Sequence, residues 1–95
     1  MADQDLVQVH LRITGRVQGV CYRANACEQA KAMGLRGWVR NRIDGSVEAM
    51  ALGTPHNIEA FVTWCGQGPS AAQVQQVAVR QVTPVEECLP FEVRY

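Results

Sequence analysis

An α+β two-layer sandwich, an antiparallel sheet with both helices on one face, is the fold class this sequence predicts. Three observations predict it. Residues 6–14 alternate apolar and polar, which reads as a strand with one buried and one solvated face. Two stretches, 22–33 and 55–65, carry apolar residues at helical spacing. Between them Asp44-Gly45 marks a hairpin. The chain has 95 residues, 47% of them apolar, enough to close one domain, 1–95, around a two-layer core.

In the first strand Val7, Val9, Leu11 and Ile13 share the inner face, and Gln8, His10, Arg12 and Thr14 share the outer one. His10 reads as a surface histidine. The first helix is rich in alanine, a strong helix former; Ala26, Ala30 and Met33, with Cys27 beside them, form its narrow apolar stripe. Gly34 suits the left-handed position beyond its end. Strands are expected at 36–42 and 46–52, with Val47, Ala49 and Ala51 inward and Glu48 in solvent. Thr54 and Pro55 read as N-cap and first helical residue of the second helix. Ile58, Phe61, Val62 and Cys65 follow at i, i+3, i+4 and i+7, and Gly66 is expected to stop the helix. Residues 70–76 read as a polar connection, 77–83 as a strand, 84–90 as a loop with Glu86, Glu87 and Cys88, and 91–95 as a short last strand. Two split crossovers in this order give a ferredoxin-like βαββαβ sandwich with a four-stranded antiparallel sheet.

The charge balance narrows the function. Net charge is zero, against the basic face of a nucleic-acid binder. A nucleic-acid-binding relative of this fold would also want aromatics on the open sheet face, where the first strand shows Gln8, His10 and Arg12. Cations are concentrated in residues 1–42, where Arg12, Arg16, Arg23, Lys31, Arg36, Arg40 and Arg42 outnumber Asp3, Asp5 and Glu28. Arg12, Arg36, Arg40, Arg42 and Arg80 each read as solvated surface. No apolar run approaches the ~20 residues of a membrane span, and the polar start Met1-Ala2-Asp3-Gln4-Asp5 is unlike a secretory signal. A cytoplasmic monomer is therefore expected. Cys21, Cys27, Cys65 and Cys88 show no zinc spacing and read as buried or half-buried free thiols.

Gly15-Arg16-Val17-Gln18-Gly19-Val20-Cys21-Tyr22-Arg23 joins the first strand to the first helix. Glycines at 15 and 19 permit a tight turn and close approach of a ligand to the backbone. Val17 and Val20 tuck the turn against the core. Free N–H groups of the turn and the helix start make an anion cradle, and Arg23 in the first helical turn can grip two phosphate oxygens. Read from the residues alone, the stretch is an ordinary strand-to-helix turn or an anion site, and both readings stand. Asn41 ends the second expected strand, and the topology can bring it near this turn; by composition alone it is a turn-former.

Ile13-Thr14-Gly15-Arg16-Val17-Gln18-Gly19-Val20-Cys21-Tyr22-Arg23 resembles the first signature of the acylphosphatase family. Gly37-Trp38-Val39-Arg40-Asn41, followed by Gly45, Val47 and Gly53, resembles the second, and Phe91-Glu92-Val93-Arg94-Tyr95 resembles the family's C-terminus. The resemblance covers nearly the whole chain. It implies the ferredoxin-like fold and hydrolysis of carboxyl-phosphate anhydrides without metal or other cofactor. It implies that Arg23 binds phosphate together with the loop Gly15, Arg16, Val17, Gln18, Gly19 and Val20, and that Asn41 holds the attacking water. Inorganic phosphate or sulfate is then expected in the loop. One departure is Tyr22, where the family usually has phenylalanine; its hydroxyl needs solvent or a partner. The rival reading is a non-enzymatic ferredoxin-like module that binds a small anion or docks a protein. The chain ends just after the last expected strand, which points to a stand-alone enzyme.

Overall fold

A computed structural model describes residues 6–84 and 90–95. Glu86, Glu87 and Cys88 of the expected 84–90 loop, like residues 1–5, lie outside the described residues. The elements run β1 (Val7–Arg16), α1 (Tyr22–Ala32), β2 (Arg36–Asn41), β3 (Val47–Gly53), α2 (Pro55–Gln67), β4 (Gln73–Val82) and β5 (Glu92–Arg94). The strands form one sheet in the order β4-β1-β3-β2-β5. This is the ferredoxin-like α+β sandwich, with one correction. A fifth strand, β5, pairs with β2 in parallel, so the sheet is mixed rather than four-stranded and antiparallel. A three-residue strand leaves too short a pattern in the sequence to reveal its partner or direction.

The inner faces of β1 and β3 meet the helices. Val9, Leu11, Ile13, Val47, Ala49 and Ala51 are buried with Ala26, Cys27 and Ala30 of α1 and Ile58, Phe61 and Cys65 of α2. Phe61 and Phe91 pack edge to face with centroids 5.7 Å apart, a favoured aromatic geometry. Tyr22 is buried against Trp64, and its hydroxyl donates to the Cys65 carbonyl at 2.7 Å. That bond is the partner the additional hydroxyl requires. Burial, with Cys65 adding to it, holds the Tyr22 phenol above its ordinary range, and burial pushes the Cys65 thiol up to about 12. Both groups are therefore neutral at physiological pH.

Two boundaries differ from the sequence reading. Thr54 caps α2 as expected, its Oγ1 accepting from the Asn57 amide at 3.4 Å. Gly66 does not end the helix. The chain turns at Gly68, which adopts φ 67° while its amide donates to the Trp64 carbonyl at 2.8 Å. Strand β4 begins at Gln73, inside the stretch read as a connection. It lies at the sheet edge with most side chains exposed, so its residues carry little of the alternation that marks a half-buried strand.

Glu48 is the clearest correction on the outer face. It is only 8% exposed rather than solvated. Oε2 lies 2.6 Å from Nε2 of His10, and Oε1 accepts from Nε of Arg40 at 2.7 Å, with Nη1 of Arg42 at 3.2 Å. His10 is accordingly half-buried and bonded. Cross-strand neighbours supply the compensation that burying a carboxylate demands. Nearby, Asp44 accepts from the hydroxyl and amide of Ser46 and from Nη2 of Arg12.

These bonds make stability depend on pH. Desolvation raises the Glu48 pKa, but the bonds from His10 and Arg40 outweigh it and the net shift is downward. Ser46 first and then Arg12 hold the Asp44 carboxyl below its usual range. A carboxylate with a depressed folded pKa contributes stability above its unfolded pKa, about 4, that is lost as pH falls through the folded value. The denaturation midpoint should therefore hold from neutrality to about pH 5 and decline below about pH 4. Glu48→Gln should flatten that decline. Urea titrations of both proteins at stepped pH measure it, and a midpoint that rises on acidification would contradict the assignment.

Candidate active site

Between the end of β1 and the start of α1 the backbone takes two left-handed steps, at Gly19 (φ 75°) and Cys21 (φ 63°). Glycine adopts such a conformation without strain; for cysteine it is uncommon. Alternation of handedness along a short run turns successive N–H groups toward one concavity. Cys21 is also the N-cap of α1, and its side chain makes no capping hydrogen bond. The first amides of α1 have no intrahelical acceptor, so the helix presents uncapped donors and its partial positive charge to the same point.

That point is the floor of an open cleft of about 370 Å³. Val17, Gly19, Cys21, Tyr22, Arg23 and Ala24, from the loop and the start of α1, line it together with Asn41, Val93 and Tyr95. Arg23 and Asn41 thus face one cavity from different elements, as the topology suggested. Nη1 of Arg23 donates to the Arg94 carbonyl at 3.1 Å, and the guanidinium carbon lies 4.8 Å from the Tyr95 ring centroid. A guanidinium has five N–H donors; one such bond leaves most of the fork available to a ligand. Asn41 is the last residue of β2, paired with Val47. Its Oδ1 is buried, and no donor among the described residues reaches it.

The run from 15 to 20 divides. Val17 and Gly19 line the cleft, whereas Gly15, Arg16, Gln18 and Val20 do not. Gly15 and Arg16 belong to β1, opposite Val74 and Gln73, where the ladder to β4 shifts register. Gly15 has φ 121°, and a Cβ there would sit 2.2 Å from the Gln73 carbonyl oxygen, so the glycine serves the strand crossing. Gln18 reaches sideways: its Nε2 donates to the carbonyls of Arg42 at 2.7 Å and Ser46 at 2.9 Å. It ties the loop to the β2–β3 hairpin that carries Asn41. Val17 is fully buried and Val20 half-buried, so the loop is anchored to the core as expected.

The sequence reading missed Cys21, Tyr22, Ala24, Val93 and Tyr95 as cleft residues. Cys21 is exposed rather than buried or half-buried. Nothing in a cysteine's chemistry announces a left-handed backbone. Tyr95 had a signal only in the resemblance of the last five residues, which carried no role. Among the described residues, no group of three or more His, Cys, Asp or Glu side chains is placed to hold a metal ion. No helix among them is long and apolar enough to cross a membrane.

Comparison with known proteins points in one direction. The family model described as Acylphosphatase matches residues 9–93. The chain is 46% identical over 91 residues to an acylphosphatase of Anaeromyxobacter sp. (strain Fw109-5), covering 96% of this chain and 98% of that one. It is 48% identical over 92 residues to one of Azoarcus sp. (strain BH72), covering 93% and 94%. Among solved structures, an acylphosphatase from Coxiella burnetii superposes with a TM-score of 0.91 at 32% identity, covering 99% of this chain and all of that one.

Proposed function

This chain belongs to the acylphosphatase family, and from that premise we propose how it hydrolyses acyl phosphates. The phosphate group enters the cleft and binds the amides around Gly19 and the start of α1. The guanidinium of Arg23 closes over two of its oxygens. Asn41 Oδ1 accepts a hydrogen bond from a water and aims it at phosphorus, in line with the leaving carboxylate. The products are a carboxylate and inorganic phosphate, and the phosphate rests in the same loop before release.

One observation carries this reading. Asn41 lines the cleft together with Arg23, and its carbonyl oxygen is buried with no donor among the described residues. A buried polar atom left so costs about 1–3 kcal/mol, which is offset when a water or substrate occupies the site. A carbonyl oxygen without a donor, on a residue that lines the cleft, wants one, and a nucleophilic water is one.

The chemistry asks for little more. A carboxylate leaving group has a conjugate-acid pKa of about 4, so it departs without a strong general acid. Phosphoryl transfer of this kind passes through a loose transition state and is catalysed by positioning and by stabilising charge on the phosphoryl oxygens. Arg23 and the oriented amides supply that stabilisation. An amide is too weak a base to take the water's proton, which passes to a phosphate oxygen of the substrate. The reaction proceeds without a metal ion, in a monomeric, single-domain cytoplasmic enzyme that takes a small molecule rather than a nucleic acid as its partner.

Phosphate release from a synthetic acyl phosphate tests the reading. Turnover should be unchanged after exhaustive dialysis against EDTA. Loss of activity with chelator, restored by a divalent ion, would replace this mechanism with a metal-assisted one. Binding of phosphate with no turnover at all would instead favour an anion-binding module.

A further inference from the structure

We infer that Tyr95 is a positioning residue: its ring, with the Arg94 carbonyl, holds the Arg23 guanidinium at the cleft so that it meets phosphate already oriented. The inference rests on the phosphate-binding role proposed for Arg23.

Arginine has many rotamers, and a half-buried one at a cleft edge loses that freedom whenever it grips a ligand. Here two contacts restrict it beforehand. Nη1 donates to the Arg94 carbonyl, 71 positions away in sequence, and the Tyr95 ring lies beneath the guanidinium at 4.8 Å. A ring face attracts a cation without consuming its in-plane N–H donors, so the clamp leaves the fork free for oxygen ligands. Tyr95 is otherwise fully exposed at 101%. Core packing therefore does not account for its placement, and its replacement should leave the fold intact.

The sheet sets the clamp relative to Asn41. Strands β2 and β5 run parallel with Arg40 opposite Arg94. Asn41 ends β2 and Tyr95 directly follows β5, so one strand pair positions both the water-holding amide and the Arg23 clamp. This is a structural use for the parallel fifth strand. Only the ring face is required, so phenylalanine should serve as well as tyrosine.

The test compares Tyr95→Ala and Tyr95→Phe on an aliphatic and an aromatic acyl phosphate, with inorganic phosphate as competitive inhibitor. Tyr95→Ala should raise KM for both substrates and the phosphate inhibition constant by one common factor, about two- to five-fold for an exposed cation–π contact. kcat and the thermal midpoint should change little, and Tyr95→Phe should match the parent. Adding Tyr95→Ala to Arg23→Ala should leave the phosphate inhibition constant where Arg23→Ala alone puts it. Unchanged KM and inhibition constant in Tyr95→Ala would overturn the inference. So would a loss confined to the aromatic substrate, which would mean direct contact with the acyl group, or a loss that phenylalanine fails to restore. Should Arg23→Ala itself bind phosphate normally, both this inference and the Arg23 assignment fall; failure of the clamp alone leaves Arg23→Ala impaired and Tyr95→Ala normal.

Discussion

Arg23→Ala should lower kcat/KM for an acyl phosphate by about two to four orders of magnitude and weaken inhibition by inorganic phosphate in parallel. Each hydrogen bond from a charged donor contributes about 1.5–3 kcal/mol. A bidentate grip contributes two, and every 1.4 kcal/mol is about tenfold. Loss of ground-state phosphate binding and loss of catalysis go together, because the guanidinium touches the same oxygens before and during the reaction. The fold should survive, since the guanidinium packs on an exposed ring and a main-chain carbonyl rather than in the core. Steady-state kinetics with phosphate as inhibitor, alongside a circular dichroism melt, measure all three. Near-normal turnover in a folded Arg23→Ala protein would remove Arg23 from the site.

Asn41→Ala should behave differently. Its kcat should drop by about two to three orders of magnitude, the scale seen when one oriented polar group is removed from an active site. The phosphate inhibition constant should stay close to the parent's, because the amide is assigned to the water and not to the anion. Stability should hold or rise slightly: the substitution deletes a buried oxygen for which the described residues offer no donor. Asn41→Asp sharpens the test. It keeps the size but sets a negative charge facing the incoming phosphate, so KM should rise as well. If Asn41→Ala loses phosphate affinity and turnover equally, the amide is a ligand of the anion and the water needs another holder.

The two variants separate because the residues stand on different elements. Arg23 sits in the first turn of α1, and Asn41 at the end of β2. Gln18 is the visible link between them, with two hydrogen bonds from the loop to the hairpin carbonyls. Gln18, expected from the signature in the binding loop, braces that loop through its side chain. The same division explains Gly15, whose positive φ and close approach to Gln73 belong to the sheet. Signature residues share a stretch of chain for several reasons, and only some of them line the cleft.

Much is legible in the sequence alone, because local patterns report local requirements. Alternation in β1, helical spacing in α2, the Thr54–Pro55 start and the Asp44-Gly45 turn each reflect neighbours within a few residues. Two signatures and a terminal motif sufficed for the family. The boundaries that moved are places where a local signal was weak or duplicated: Gly66 and Gly68 both suit a helix end, and only the second takes a positive φ.

By itself, then, the sequence determined the α+β class, the identity of the core faces and the pairing of Arg23 with Asn41 as candidates. Tertiary structure alone decided which loop residues line the cleft, the burial of Glu48 among His10, Arg40 and Arg42, and the parallel seat of β5. It also decided that Tyr95 lies under Arg23 and that the Asn41 oxygen has no donor among the described residues. The reason is physical. Periodicity encodes which way a side chain points relative to its own backbone. Contacts between residues tens of positions apart depend on strand register and order, which the packing of the whole chain sets at once.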